Sequence, residues 1–260
     1  MNTRKAAVAG LFYENNADQL RQHIASMMTR ATTAGSNAPQ ALIVPHAGYV
    51  YSGQTAACAY STLSARADKI KRVVLFGPAH RVALQGMAVP SVDAFATPLG
   101  DVPLDRACIE RISKLPGVCV SDEAHRDEHS LEVQLPFLQT VLGEFSLVPV
   151  VVGHCAAQTV AAIVDALWGG AETLLVVSTD LSHFHSYKDA QQRDRSTCDR
   201  LQAKDNSLSG QDACGACALN GLMSSEHARD MTVELVDMCN SGDTAGGKER
   251  VVGYGAFILH

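Results

Sequence analysis

The chain has 260 residues, of which 47% are hydrophobic and 18% are charged. This is enough apolar material for a sizeable core and argues against a disordered protein. The formal net charge of −6 provides no basic surface for nucleic acid or anionic lipid, so we expect neither as a partner.

Targeting signals and disulfides are not indicated either. The apolar stretch after Arg4 and Lys5 is interrupted at Glu14, too early for a secretory signal. No apolar run approaches the ~18 residues that span a bilayer. The eight cysteines are scattered through a chain much larger than typical disulfide-stapled scaffolds. We therefore expect reduced thiols in a cytoplasmic protein.

Helical and strand-like hydrophobic periods alternate along the chain. In order, they predict a helix at 17–31, a loop at 32–39, a strand at 41–46, a helix at about 53–63, a strand at 71–79, short strands or a hairpin at 87–104, helices at 105–115 and 131–142, a strand at 146–152, a helix at 156–168, a strand at 173–178, helices at 187–203 and 212–224, and two strands at 231–238 and 251–259. The last two indicate an antiparallel closing pair. One α/β domain over 1–260 is the prediction, because α/β domains of roughly 200–250 residues are common.

Histidines stand at or just past the ends of three predicted strands. His46 closes the first of these strands, His80 follows the second, and His183 comes shortly after the run 173–178. Ligands gather at the carboxyl ends of strands in α/β proteins. Any one of these histidines could be a hydrogen-bonded structural residue, but three buried imidazoles are not expected to converge for packing alone. We predict a histidine-lined site, with a metal as the leading explanation.

Two further groups are candidates for the same site. His129 lies between acidic residues before a predicted helix, and is either a general acid/base or a partner that orients a metal ligand. The plain alternative is an acidic helix start. Asp180 could orient a histidine, accept a substrate hydrogen bond or cap the following helix.

Cys214 and Cys217 form one C-x-x-C pair. No second pair follows, so a structural zinc site is poorly supported. A single thiolate could complete a site begun by two histidines, or both thiols could be buried in a helix. Phosphate-binding glycine loops, dinucleotide fingerprints and serine-hydrolase elbows are absent from the sequence.

Four motifs resemble those of one family in order and spacing. They are Pro-His-Ala-Gly-Tyr-Val-Tyr-Ser-Gly at 45–53, Gly-Pro-Ala-His at 77–80, Asp-Glu-His-Ser-Leu-Glu at 127–132 and Ser-Thr-Asp-Leu-Ser-His at 178–183. The family is the Memo family, whose prokaryotic members are called AmmeMemoRadiSam system protein B. The resemblance spans essentially the whole chain. It implies an α/β fold like that of the class III extradiol dioxygenases, a three-layer αβα arrangement with a central, mostly parallel mixed sheet.

The resemblance also implies a mononuclear metal pocket. The family's metal ligands correspond to His46, His80 and Cys214 in this sequence. The residues that line the family's pocket correspond to His129, Asp180 and His183. A thiolate in place of the dioxygenases' carboxylate shifts the metal preference from iron(II) toward copper or zinc. The proline that usually follows the family's cysteine is absent here, so Cys217 could join or replace Cys214 as a ligand.

Three functions follow as expectations. The first is an iron- or copper-dependent, dioxygenase-like oxidoreductase, with zinc as another possible metal and with His129, His183 and Asp180 as catalytic groups. The second is a non-catalytic pocket that binds a peptide or small molecule. The third is an accessory role in a modification pathway, with radical-SAM and AMMECR1-like proteins as partners.

Overall fold

The computed structural model describes residues 2–31 and 39–260, so the predicted loop at 32–39 lies outside the described residues except for Pro39. The helices are α1 Ala17–Arg30, α2 Tyr49–Ser61, α3 Arg106–Ile112, α4 Asp122–Arg126, α5 Leu135–Leu142, α6 Ala157–Leu167, α7 Tyr187–Gln202 and α8 Ala216–Ser224, with 3₁₀ turns at Thr62–Ala65, Glu132–Gln134 and Ser241–Asp243. The strands are β1 Thr3–Arg4, β2 Ala41–Val44, β3 Arg72–Pro78, β4 Met87–Val89, β5 Ala94–Thr97, β6 Gly100–Pro103, β7 Val118–Val120, β8 Ser146–Val152, β9 Thr173–Ser178, β10 His183–His185, β11 Val233–Asn240 and β12 Val251–Leu259.

A nine-stranded mixed sheet forms the centre of the fold, in the order β10-β12-β2-β9-β3-β8-β4-β7, with β11 also paired to β12. Its middle strands β2, β9, β3 and β8 are parallel to one another, whereas β12 and β4 are antiparallel to β2 and β8. They are built almost entirely of buried aliphatic residues, as expected for parallel strands covered on both faces. A second, three-stranded sheet has the order β1-β5-β6.

Helices cover the sheet in two groups, giving the αβα layers that the resemblance implied. Helices α1, α2 and α5 pack together, and α2 also contacts β2, β11 and β12. Helix α6 packs against α3 and α8, which reach β8 and β3, and α7 lies against β11 and β12. Within the described ranges, no helix is both long and apolar enough to cross a bilayer.

The structure agrees with most predicted elements and differs at several boundaries. The predicted bounds of β8 and β9 match, and the closing antiparallel pair is confirmed as β11 and β12. Helix α2 starts at Tyr49, four residues before the predicted start at about 53. Gly53 lies inside the helix, where it packs closely against Met27. The predicted helix 131–142 is a 3₁₀ turn followed by α5, and α8 begins at Ala216 rather than 212.

Four short elements were not predicted, namely β1, β7, α4 and β10. Each has two to five residues, too few for a hydrophobic period to show. The 87–104 segment holds three short strands, of which β5 and β6 form a hairpin as expected. The prediction of one domain over 1–260 stays a prediction.

Candidate metal centre

Three neighbouring parallel strands deliver polar side chains to one edge of the sheet. His46 lies two residues beyond β2, Asp180 two beyond β9 and His80 two beyond β3. Since β9 pairs with both β2 and β3 in parallel, all three residues emerge side by side at the carboxyl ends. This is the sheet edge at which α/β proteins place their ligands.

A third imidazole, from His129, joins His46 and His80. The ligand atoms of the three side chains all lie within 4.8 Å of one another. The ring centroids are 5.1 Å apart for His46 and His80, 4.7 Å for His80 and His129, and 5.4 Å for His46 and His129. We refer to these three residues as the imidazole cluster. It is a group of side chains that could hold a metal ion.

The tautomer of His46 follows from its buried partners. Its Nδ1 lies 2.9 Å from the Ser178 hydroxyl, which itself donates to the carbonyl oxygen of Ser130 at 2.6 Å. The Ser178 proton is therefore already used, and the hydroxyl also accepts a hydrogen bond from Gln134. His46 Nδ1 must then be the donor, which leaves a lone pair on Nε2.

Glu128 fixes His80 in the same tautomer. One carboxylate oxygen accepts from the His80 backbone amide at 2.6 Å, and the other lies 2.9 Å from His80 Nδ1. Despite burial, hydrogen bonds from His80 and Ser130 lower the pKa of Glu128 to about 2, so it is ionised at neutral pH. An ionised carboxylate can only accept, so His80 Nδ1 donates and Nε2 keeps its lone pair.

His129 comes from the loop that joins α4 to the following 3₁₀ turn. The loop approaches β3 at Gly77, where any Cβ would stand 2.7 Å from the Ser130 hydroxyl, so the position requires glycine. Burial lowers the pKa of His129 to about 4, which keeps its ring neutral. Its Nδ1 is buried, 3.4 Å from Glu128, and has no hydrogen-bond partner among the described residues.

Asp180 is buried beside the imidazole cluster. It accepts a hydrogen bond from the His46 backbone amide at 2.7 Å, and its other oxygen lies 3.9 Å from His46 Nε2. Burial raises the pKa of Asp180 to about 7, although hydrogen bonds from the backbone oppose the shift. A carboxyl group with this pKa can hold or release a proton near neutral pH.

Cys214 lies next to Asp180, near the same nitrogen of His46. Its Sγ is 3.3 Å from His46 Nε2 and accepts from the Asp180 amide at 3.3 Å. Burial, with a contribution from the Asp180 charge, raises the pKa of the thiol to about 12. The neutral thiol can thus donate to the His46 lone pair, and coordination of a metal would have to displace its proton.

The structure brings together five of the six residues predicted for the site. His46, His80, His129, Asp180 and Cys214 lie close to one another, but His129 rather than Cys214 completes the group of mutually close ligand atoms. The sixth, His183, begins β10, which pairs with β12; among the described residues it is outside that group and outside the lining of the adjoining cavity, but it lies near enough to His46 and His80 to interact with their charges. The assignment of individual roles to these residues stays a prediction.

An open cavity of about 420 Å³ adjoins the imidazole cluster. Its walls include His129 and Asp180, the aromatic rings of Phe12, Tyr51 and Tyr254, and the Arg250 side chain. The Phe12 ring packs against His129, with centroids 4.9 Å apart. A small molecule in this cavity would lie against both a histidine and a proton-holding carboxyl group.

The donor set fits a metal ion. His46 and His80 each have Nδ1 fixed by an outer partner and a lone pair on Nε2, which is the arrangement of metal-binding histidines. The third imidazole is kept neutral, and its buried Nδ1 has no hydrogen-bond partner in the part of the chain that the structure describes. Imidazole nitrogens with a nearby thiol suit zinc, copper and iron more than magnesium or calcium.

The outer partners were not found from the sequence. Glu128 was noted only as an acidic neighbour of His129, whereas its main hydrogen bonds go to His80, and Ser178 and Gln134 were given no role. The one available signal was that Glu128 and Ser178 lie inside the recognised motifs.

Comparisons with known proteins give one consistent result. A family model described as Memo-like protein matches residues 4–258. A MEMO1 family protein of Aquifex aeolicus is 34% identical, with 100% of both chains covered, and one of Methanopyrus kandleri is 33% identical, with 98% of each covered. An uncharacterised protein from Escherichia coli K12 has a similar fold, with a TM-score of 0.51, 14% identity, and coverage of 83% of this chain and 98% of that chain.

Proposed function

The chain belongs to the Memo-like protein family, and from this premise and the imidazole cluster we propose that it is an iron- or copper-dependent oxidoreductase with one metal per chain. The observation that carries the proposal is the pair of histidines, His46 and His80, whose Nδ1 protons are held by Ser178 and Glu128, so that each ring carries its lone pair on Nε2 beside a third, neutral imidazole. An outer partner that fixes Nδ1 and leaves Nε2 as the ligand atom is the arrangement of metal-binding histidines.

Each residue has a part in this proposal. His46 and His80 hold the metal, and either His129 or Cys214 supplies the third donor. A metal bound there would supply redox and Lewis-acid chemistry. Asp180, with a pKa of about 7, holds or releases a proton at the wall of the cavity, and Phe12 and Tyr51 exclude water from a bound ligand.

The test is the identity of the metal in protein purified without air and without an affinity-tag metal. Elemental analysis is expected to find iron or copper at close to one per chain. Variants His129→Ala and Cys214→Ser identify the third ligand, because only the true donor's loss should lower the metal content strongly. Wild-type protein that carries and accepts only zinc would contradict the oxidoreductase proposal.

A second candidate function is ligand or peptide binding without catalysis. The open cavity of about 420 Å³ favours it, since Phe12, Tyr51 and Tyr254 line the cavity together with the Arg250 residue. A metal-free protein that binds peptides as tightly as the metal-loaded form would support this function. Partnership with radical-SAM and AMMECR1-like proteins remains a further proposal, to be tested by co-purification.

We also propose a cytoplasmic location. All eight cysteines are free thiols in the structure, which suits a reducing compartment. Fractionation of cells with an antibody against the protein would test this location.

A further inference from the structure

An exposed arginine stands on the wall of the cavity beside the imidazole cluster. Arg250 lines this cavity, is exposed to solvent and forms no ion pair with any described residue. It is the only lysine or arginine among the described residues that line the cavity. A guanidinium without an anionic partner at such a place is available to a ligand.

The neighbouring backbone holds an aromatic ring against this arginine. Phe184 has a φ of 63°, in the left-handed region that a bulky residue rarely adopts. It lies at the register shift between His183 and His185, where β10 pairs with β12. The irregularity leaves the Phe184 ring 62% exposed, with the Arg250 guanidinium 5.1 Å from its centroid.

This arrangement is costly for folding alone. The left-handed backbone at Phe184 costs free energy, and its largely exposed ring contributes little burial to offset that cost. Bulges of this kind redirect side chains and are frequent beside functional sites. The stacking of Arg250 on Phe184 restricts the guanidinium at the cavity mouth, which reduces the entropy lost when it binds an anion.

We propose that Arg250 is the specificity-determining residue of the site and that it recognises the carboxylate of a flat, aromatic ligand. This inference rests on the proposed function, since the ligand would lie in the cavity beside the imidazole cluster. Phe12, Tyr51 and Tyr254 provide the apolar walls for the ring of the ligand. A single guanidinium fork matches one carboxylate, whereas a phosphate dianion is usually held by several cations.

Binding of benzoate and its neutral isostere benzamide tests this assignment. Dissociation constants would be measured by calorimetry or saturation-transfer NMR on the full chain, first metal-free and then after loading with zinc. We expect metal-free wild type to bind benzoate at least ~10-fold more tightly than benzamide, because a charge-assisted pair contributes at least that much. Arg250→Gln should lose this preference, Arg250→Lys should keep part of it, and the exposed control Arg193→Gln should keep all of it.

Three outcomes would overturn the assignment: no preference for benzoate in wild type, an equal preference in Arg250→Gln, or tighter binding of phenyl phosphate than of benzoate. Phe184→Gly removes the ring and relieves the backbone strain, so the thermal midpoint should not fall while benzoate binding weakens several-fold. Unchanged benzoate binding in Phe184→Gly would refute the orienting role of the ring. Zinc uptake should be the same in Arg250→Gln and in wild type. If wild type takes up no zinc, the metal site proposed above fails, and this result is independent of the benzoate measurements.

Discussion

Replacement of Glu128 by glutamine should weaken both metal binding and stability. The Glu128 carboxylate accepts hydrogen bonds from His80 N at 2.6 Å, His80 Nδ1 at 2.9 Å and Ser130 N at 2.9 Å. In Glu128→Gln, one oxygen becomes an NH₂ group that faces an N–H donor. If His80 changes tautomer to accept from this amide, its Nε2 becomes protonated and is lost as a ligand. We expect a metal affinity about 10–100-fold lower.

The loss of stability can be worked out from the pKa. Glu128 titrates at about 2 in the folded protein, against 4.5 for the ordinary side chain. Because the folded pKa is the lower one, the ionised group stabilises the protein above pH 4.5, and this contribution is lost as the pH falls through 4.5 toward 2. The difference corresponds to roughly 3 kcal/mol of unfolding free energy at neutral pH. Glu128→Gln removes the contribution together with its pH dependence.

Two assays check this reasoning. Urea unfolding of wild type and Glu128→Gln should show a difference of roughly 3 kcal/mol at pH 7 that shrinks below pH 4.5. Calorimetric zinc titration at pH 7 should show the weaker binding. The exposed neighbour Glu123→Gln is the matched control and should behave as wild type. A Glu128→Gln variant with wild-type zinc affinity and an equal unfolding free energy at pH 7 would refute the role assigned to Glu128.

Three other side chains give independent predictions. Ser178→Ala removes the hydroxyl that accepts the hydrogen bond from His46 Nδ1. We expect zinc affinity, measured by titration, to fall about 10-fold. We expect the unfolding free energy, measured by urea unfolding, to fall by about 1–3 kcal/mol. Arg4→Met leaves the buried Glu132 carboxylate without its cation, which should cost about 3–5 kcal/mol in urea unfolding. Burial lowers the pKa of His125 from 6.5 to about 4, so this neutral histidine contributes stability above pH 6.5 that is lost as the pH falls toward 4. Between pH 7 and pH 4.5, the unfolding free energy of His125→Gln should therefore fall by roughly 2 kcal/mol less than that of wild type.

Matched surface variants control these three experiments. Ser113→Ala, Arg193→Met and His154→Gln change the same residue types at exposed or half-exposed positions and should leave zinc affinity and stability near wild type. Wild-type zinc affinity in Ser178→Ala would argue against the His46 tautomer. A loss of unfolding free energy below about 1 kcal/mol in Arg4→Met would mean that the buried Glu132 carboxylate does not need the Arg4 guanidinium. Identical pH profiles for wild type and His125→Gln would contradict the neutral, buried state of His125.

The sequence was informative where hydrophobic runs are long. The strands 146–152 and 173–178 were predicted with the bounds that the structure has, because continuous aliphatic runs mark buried parallel strands. Placing His46 and His80 after such runs was enough to predict that they meet, since the parallel strands of one sheet end at one edge. Helix α2 was predicted to begin at about Gly53, whereas it begins at Tyr49.

The detailed chemistry of the site depends on pairs that are distant in sequence. His46 and its partner Ser178 are 132 residues apart, and His80 and Glu128 are 48 apart. These pairs follow from the strand order and from the approach of the 128–131 loop to Gly77, which no local pattern encodes. For the same reason His129 was predicted as an acid/base residue or as a partner that orients a metal ligand, rather than as a member of the imidazole cluster.

The most direct test of the central claim is the binding stoichiometry of iron(II), measured by anaerobic calorimetry on wild type and on the double variant His46→Ala/His80→Ala. We predict one site per chain in wild type and none in the double variant, with both proteins folded by circular dichroism and thermal melting. A folded double variant that still binds one iron(II) per chain with wild-type affinity would contradict a metal centre at the imidazole cluster.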